Sequence, residues 1–190
     1  MSTQAELLPL THDDLVRRAV RWLRKTRGCG VVFAEMVTAA PMIPDAIGWC
    51  MAGQWSVLVE AKASRSDFFA DRKKCHFGAP DSPGQERWYI TPKGLVQPDE
   101  LPAEWGLLEC SAKRIVVAKI CPRTNYVPYC RRLGGELSFM NPSAVFMVAR
   151  ARWEATMLCS ALRRHQLGVE WRNTEAMFAS AGVAPGGEQV

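Results

Sequence analysis

No two of the seven cysteines in this 190-residue chain form a Cys-x-x-Cys pair. Structural zinc sites present their ligands as closely spaced pairs, so the spacing speaks against one. Cys75-His76 is an adjacent Cys/His pair, and neighbouring residues rarely chelate one ion together. An odd number of cysteines without a signal peptide fits reduced thiols, most of them buried as small apolar side chains. The chain also lacks the basic-then-apolar opening of a signal peptide, and Glu6 and Asp13-Asp14 speak against a transit peptide. No apolar run approaches the length needed to span a bilayer, and no internal repeat is visible. A soluble, cytoplasmic protein with no membrane partner is expected.

What is present suits one globular domain with an appended helical segment. With 48% hydrophobic and 23% charged residues the chain can bury a sizeable core. Its formal charge of +5 leans modestly toward a polyanionic partner.

Residues 1–10 read as a loose leader. Thr11 with Asp14 resembles a capping box, and Leu15, Ala19, Trp22 and Leu23 then recur at helical spacing. Arg17, Arg18, Arg21, Arg24 and Lys25 fill the other face of this helix, over about 12–27, and Gly28 and Gly30 end it. Strands are expected near 31–38, 45–51 and 55–62, the last two joined as a hairpin. A helix over 66–75 follows, with Ser66 as its N-cap. The Gly- and Pro-rich segment 76–86 reads as a loop. Further strands are expected at 87–91, 106–110 and 114–120. Asn141-Pro142 opens the longest helix, running to about Gln166 with Gly168 just past its end. Phe146, Ala149, Trp153, Met157 and Ala161 make an apolar stripe for core packing. Arg150, Arg152, Arg163 and Arg164 extend a basic surface. Residues 168–190 read as a short helix and a disordered tail.

One constellation carries chemistry. Pro44-Asp45 precedes, by fifteen residues, the Glu60-Ala61-Lys62 that ends the apolar run Val57-Leu58-Val59. Side chains alternate along a strand, so Glu60 and Lys62 project the same way, roughly 6.6 Å apart. Glu35 closes another apolar run, 31–34, and reaches toward the same patch. Carboxylates gathered this way suit a hard divalent cation, which takes oxygen ligands. The plain alternative makes Glu60 and Lys62 the polar face of a half-exposed strand.

The order helix, strand, strand with Asp, strand with Glu-x-Lys, helix resembles the PD-(D/E)xK nuclease superfamily. Within it the chain is most similar to the MmcB-like DNA repair proteins. That likeness lies in Glu60-Ala61-Lys62, Asp67-Phe68, Asp71-Arg72-Lys73, Leu101-Pro102 and Trp105-Gly106-Leu107-Leu108, across roughly 12–120. It implies an α/β fold: a restriction-endonuclease-like core with a central mixed β-sheet flanked by helices, and a C-terminal helical extension. The nuclease-like core would span 11–122, with the long helix of 123–167 packed on it. The resemblance also implies a metal-dependent DNA endonuclease in repair or phage DNA metabolism. Asp45 and Glu60, with the Ala61 carbonyl, would hold Mg²⁺ or Mn²⁺; Lys62 would act on the attacking water and Glu35 would be an auxiliary acid. Arg65, Lys73 and Lys74 would meet DNA phosphates, although a solvated helix face is an equal reading of each. Asp67 and Asp71 read as helix-start and surface residues. The competing possibilities are a non-cleaving DNA-binding module of the same fold and an interaction protein whose motif is coincidental.

Overall fold

The structure, a computed structural model, describes residues 10–37, 42–50, 55–71, 82–122 and 144–168; for 144–149 it describes the backbone alone. In chain order the elements are α1 (His12–Lys25), β1 (Val31–Ala34), β2 (Ala46–Cys50), β3 (Trp55–Ala61) and α2 (Arg65–Asp71). Then come β4 (Glu86–Pro92), a 3₁₀ turn (Pro98–Glu100), β5 (Trp105–Cys110), β6 (Ile115–Lys119) and α3 (Ala144–Gln166). The six strands form one mixed sheet in sequence order. β3, β4 and β5 run parallel, while β1, β2 and β6 are added antiparallel. This α/β arrangement, with helices on the sheet and a C-terminal helix added, is consistent with a restriction-endonuclease-like core.

Two apolar layers hold the sheet. On one face Val57, Val59 and Ala61 of β3 join Trp88 and Ile90 of β4 beneath Leu15, Val16, Ala19 and Leu23 of α1. On the other, Leu58, Tyr89 and Leu107 meet Phe68 of α2 and Met157 and Ala161 of α3. Period-two alternation thus sends successive β3 side chains to different helices. The continuously buried β3 and β4 are what a parallel sheet covered on both faces requires.

α1 starts as its sequence dictates. Thr11 Oγ1 accepts from the Asp14 amide, and the Asp14 carboxylate accepts from the Thr11 amide. Gly28, with φ +67°, ends the turn beyond it. At α2 the expectation needs correction. Ser64, not Ser66, accepts from the Asp67 amide (3.2 Å), because the helix begins at Arg65 and its third residue is Asp67. The first strand is also shorter than expected, since Glu35 turns out of it with φ +48°. Gly168 takes φ +63° two residues after α3 ends.

α3 is docked through a polar contact as well as its stripe. Glu154 accepts from Ser56 Oγ (2.7 Å), the Gly84 amide (3.0 Å) and Trp49 Nε1 (3.2 Å). Of the expected stripe, Met157 and Ala161 are buried and Trp153 is half-buried. The side chains of Phe146 and Ala149 fall outside the described residues. Arg150 is buried and so adds no basic surface, whereas Arg152 and Arg163 are exposed. The Asn141-Pro142 cap, the end of the 66–75 helix, the hairpin turn and the 168–190 tail also lie outside the described residues, save Gly168.

Cys29, Cys50, Cys110 and Cys121 are buried free thiols and Cys159 is exposed. Among the described residues no helix is long and apolar enough to cross a membrane.

Candidate functional site

Register builds the site. Ala34 pairs with Ala46, and Ala46 with Val59. Just beyond those ladders Glu35 follows β1 and Asp45 precedes β2, which brings both to the end of β3, where Glu60 pairs with Tyr89 of β4. Residues directly opposite share a face. The Glu35 amide is held by the carbonyls of Pro44 (3.1 Å) and Asp45 (3.2 Å), which fixes its left-handed backbone beside Asp45. Such a conformation is strained for a residue with a Cβ and persists because its surroundings impose it.

Asp45 reaches across to β3, where its Oδ2 accepts from the Ala61 amide (2.7 Å). Lys62 follows on the same strand, its own amide donating to the Ile90 carbonyl (3.0 Å). The Lys62 ammonium lies 3.4 Å from Asp71 Oδ1, 3.5 Å from Glu60 Oε2 and 3.9 Å from Asp45 Oδ2. Glu60 and Lys62 are 5% and 3% exposed. They are therefore not the polar face of a half-exposed strand.

Burying an ionisable group is costly unless it is paired. Burial, followed by the charge of Asp45, raises the Glu60 pKa well above its ordinary 4.5, and the Lys62 ammonium only partly opposes this. For Lys62 burial acts to lower the pKa, but the joint field of Glu60, Asp45 and Asp71 outweighs it and the pKa rises. Lys62 is thus a cation at neutral pH. Glu60 Oε1 is fully buried and has no hydrogen-bond partner.

Two residues were missed or misread in the sequence. Asp71, expected on the surface, is 3% exposed at the end of α2. Its Oδ2 accepts from the Tyr89 hydroxyl (2.9 Å), and the Tyr89 ring is stacked on Trp105 at 4.5 Å. The Asp-Phe-x-x-Asp spacing was the available signal: four residues after Asp67, Asp71 returns one helical turn later on the side facing β3 and β4. His12 gave no signal. It opens α1, and its Nε2 lies 3.5 Å from Glu35 Oε1 and 3.6 Å from Asp45 Oδ1, so it links the two. Among the described residues the Glu35 carboxylate meets the cluster through His12.

Arg65 is exposed and already engaged. It forms a double contact with Glu100 (2.5 and 3.1 Å), donates to the Leu95 carbonyl (2.8 Å) and covers the Phe69 ring. Lys73 and Lys74 lie outside the described residues.

The donors fit a divalent cation in part. Asp45, just before β2, and Glu60 of β3 supply two neighbouring carboxyl groups, and Glu60 Oε1 is buried without a hydrogen-bond partner. Among the described residues no three His, Cys, Asp or Glu side chains are grouped to hold a metal by themselves. A third oxygen would therefore have to come from the main chain, and the Ala61 carbonyl is the adjacent one.

Compared with protein-family models and with curated proteins, the sequence matches none. Among solved structures it is similar to a protein of unknown function from Silicibacter pomeroyi. The identity is 24%, the TM-score 0.54, and the match covers 90% of this chain and 95% of the other. At that identity the likeness is one of fold.

Proposed function

We propose that this chain is a divalent-metal-dependent nuclease that hydrolyses phosphodiester bonds in DNA. The observation that carries the reading is the meeting of Asp45, Glu60 and the Lys62 ammonium within 3.9 Å at the end of β3, with one Glu60 oxygen buried and unpartnered. Asp45, Glu60 and the Ala61 carbonyl would hold Mg²⁺ or Mn²⁺. When bound, such an ion supplies charge neutralisation at the phosphate and a lowered pKa for water.

The chain's own residues do the rest. Lys62, kept charged by three carboxylates, sets a positive charge where the phosphate gains negative charge in the transition state and orients the attacking water. Asp71, braced by Tyr89, fixes the position of Lys62. Glu35 and His12 hold Asp45 from its solvent side. Arg65 meets a phosphate only by leaving Glu100; Lys73 and Lys74 remain proposed DNA contacts. DNA repair or phage DNA metabolism, in the cytoplasm, is the setting this activity suits.

A second reading, a DNA-binding module that does not cleave, is favoured by one observation: among the described residues no third acidic side chain is grouped with Asp45 and Glu60 to hold a metal, and Lys62 Nζ already sits among the carboxylates.

Purified protein incubated with single-stranded, double-stranded and branched DNA, with Mg²⁺, Mn²⁺ or EDTA, separates the two. Metal-dependent cutting that Asp45→Asn and Glu60→Gln abolish is expected. If no DNA form is cut with any divalent metal, the nuclease reading falls and the binding module stands.

A further inference from the structure

The parallel strands β3, β4 and β5 end along one edge of the sheet, and open α/β sheets bind ligands outside such carboxyl ends. The carboxylate site occupies the end of β3. Two strands away, about 10 Å at ordinary strand spacing, β5 leads into the turn 111–114, to which Arg18 of α1 is hydrogen-bonded. Between α1 and this turn lies a cleft of about 630 Å³.

Its lining is strongly charged. Arg17, Arg18, Arg21 and Lys25 of α1 face Lys113 and Arg114 of the turn, against the one carboxylate of Asp14. That excess of positive charge equals the +5 of the whole chain. Asp14 is taken up by Arg17 at 2.5 Å. Arg18 donates to the carbonyls of Ser111 (2.5 Å) and Ala112 (3.0 Å), which tie helix to turn without cancelling its charge. Lys25, Lys113 and Arg114 are exposed, and among the described residues none has a carboxylate within ion-pairing distance.

Spacing and shape narrow the ligand. Arg17, Arg21 and Lys25 recur every four residues, so they form a row with steps of about 6 Å. A row suits a chain of charges better than a single small anion. Ile115 and Val117 give the opposite wall an apolar surface, which sugar and base faces can cover.

We propose that this cleft binds the sugar-phosphate backbone of one nucleic-acid strand, free or within a duplex. The inference rests on the DNA-processing reading only in taking nucleic acid as the ligand.

The test is fluorescence anisotropy of the full chain with a labelled oligonucleotide, single-stranded or annealed, in EDTA across a salt series. Lys113→Ala/Arg114→Ala should make the slope of log affinity against log salt shallower by about 1.4 for the single strand and about 1.8 for the duplex. The response of each probe tells which form the cleft holds. Arg152→Ala/Arg163→Ala, on exposed α3 positions, removes equal charge and should leave the slope unchanged. Equal changes in both variants would make net charge the cause and overturn the proposal, as would no binding of either oligonucleotide at low salt. If the turn variant misfolds by circular dichroism, Lys25→Ala replaces it, with an expected change of about 0.7 to 0.9. Cleft-dependent binding by a protein that cuts no DNA would keep this inference and remove the nuclease reading. Cutting by wild type with an unchanged slope in the turn variant would do the reverse.

Discussion

The Lys62 ammonium lies 3.4 Å from the Asp71 carboxylate, which joins the end of β3 to the end of α2 inside the protein. The other Asp71 oxygen accepts from the Tyr89 hydroxyl. A buried cation is thereby set between strand and helix, and the two elements are committed to one relative position.

Asp71→Asn should therefore act on stability and on catalysis. Neutralising one partner of a buried ion pair of this kind costs about 3 kcal/mol, and Tyr89→Phe, which removes one hydrogen bond, about 1 kcal/mol. Urea denaturation reads both losses. DNA cutting should fall further in Asp71→Asn than in Tyr89→Phe, because only the first removes a charge from Lys62. Wild-type stability in Asp71→Asn would end the positioning role.

Glu60 makes the fold sensitive to pH. Its pKa in the fold is raised above 4.5, so its contribution to stability is complete below that pH and is lost as pH climbs through the raised value. Without divalent metal, the Tm should decline over that window, and Glu60→Gln should remove the decline. A metal held by Glu60 would bind its ionised form, so on the proposed reading Mg²⁺ should raise the wild-type Tm more at higher pH and leave Glu60→Gln unmoved. Equal Mg²⁺ shifts in both proteins would place the metal elsewhere.

Lys62→Ala should retain metal binding and lose rate. A preorganised charge facing the transition state is worth a factor of about 10²–10³. Asp45→Asn should instead lose the Mg²⁺-induced Tm shift together with cutting. Single-turnover cutting rates and melting curves, measured on the same preparations, distinguish the two patterns. A Lys62→Ala rate equal to wild type would remove Lys62 from the mechanism.

Glu154 should prove the anchor of α3. Glu154→Ala takes the acceptor from Trp49 Nε1 and the Gly84 amide, while Ser56 Oγ keeps Gln85 Oε1 (3.2 Å), a loss of about 2 kcal/mol. Limited proteolysis should then cut within α3 before the sheet. A change below about 0.5 kcal/mol, ordinary for a surface position, would show that Met157 and Ala161 suffice to hold the helix.

Much of this protein is set by local rules that sequence expresses directly. The Thr11–Asp14 cap, the Leu15–Ala19–Trp22–Leu23 stripe and the apolar runs of β3 and β5 each arise within a few residues, from helical or strand periodicity. The same period places Glu60 and Lys62 on one side of β3 without any knowledge of their neighbours. Tertiary structure alone decided what they meet. The pairing of β1, β2 and β3 brought Glu35 and Asp45, which flank the strands, to the Glu60 end of β3; the packing of α2 brought in Asp71; and the start of α1 brought in His12. Burial also turned an apparent polar face into a charged interior. Periodicity orients a side chain relative to its own backbone, whereas contacts, dielectric and pKa depend on elements that only the folded chain brings together.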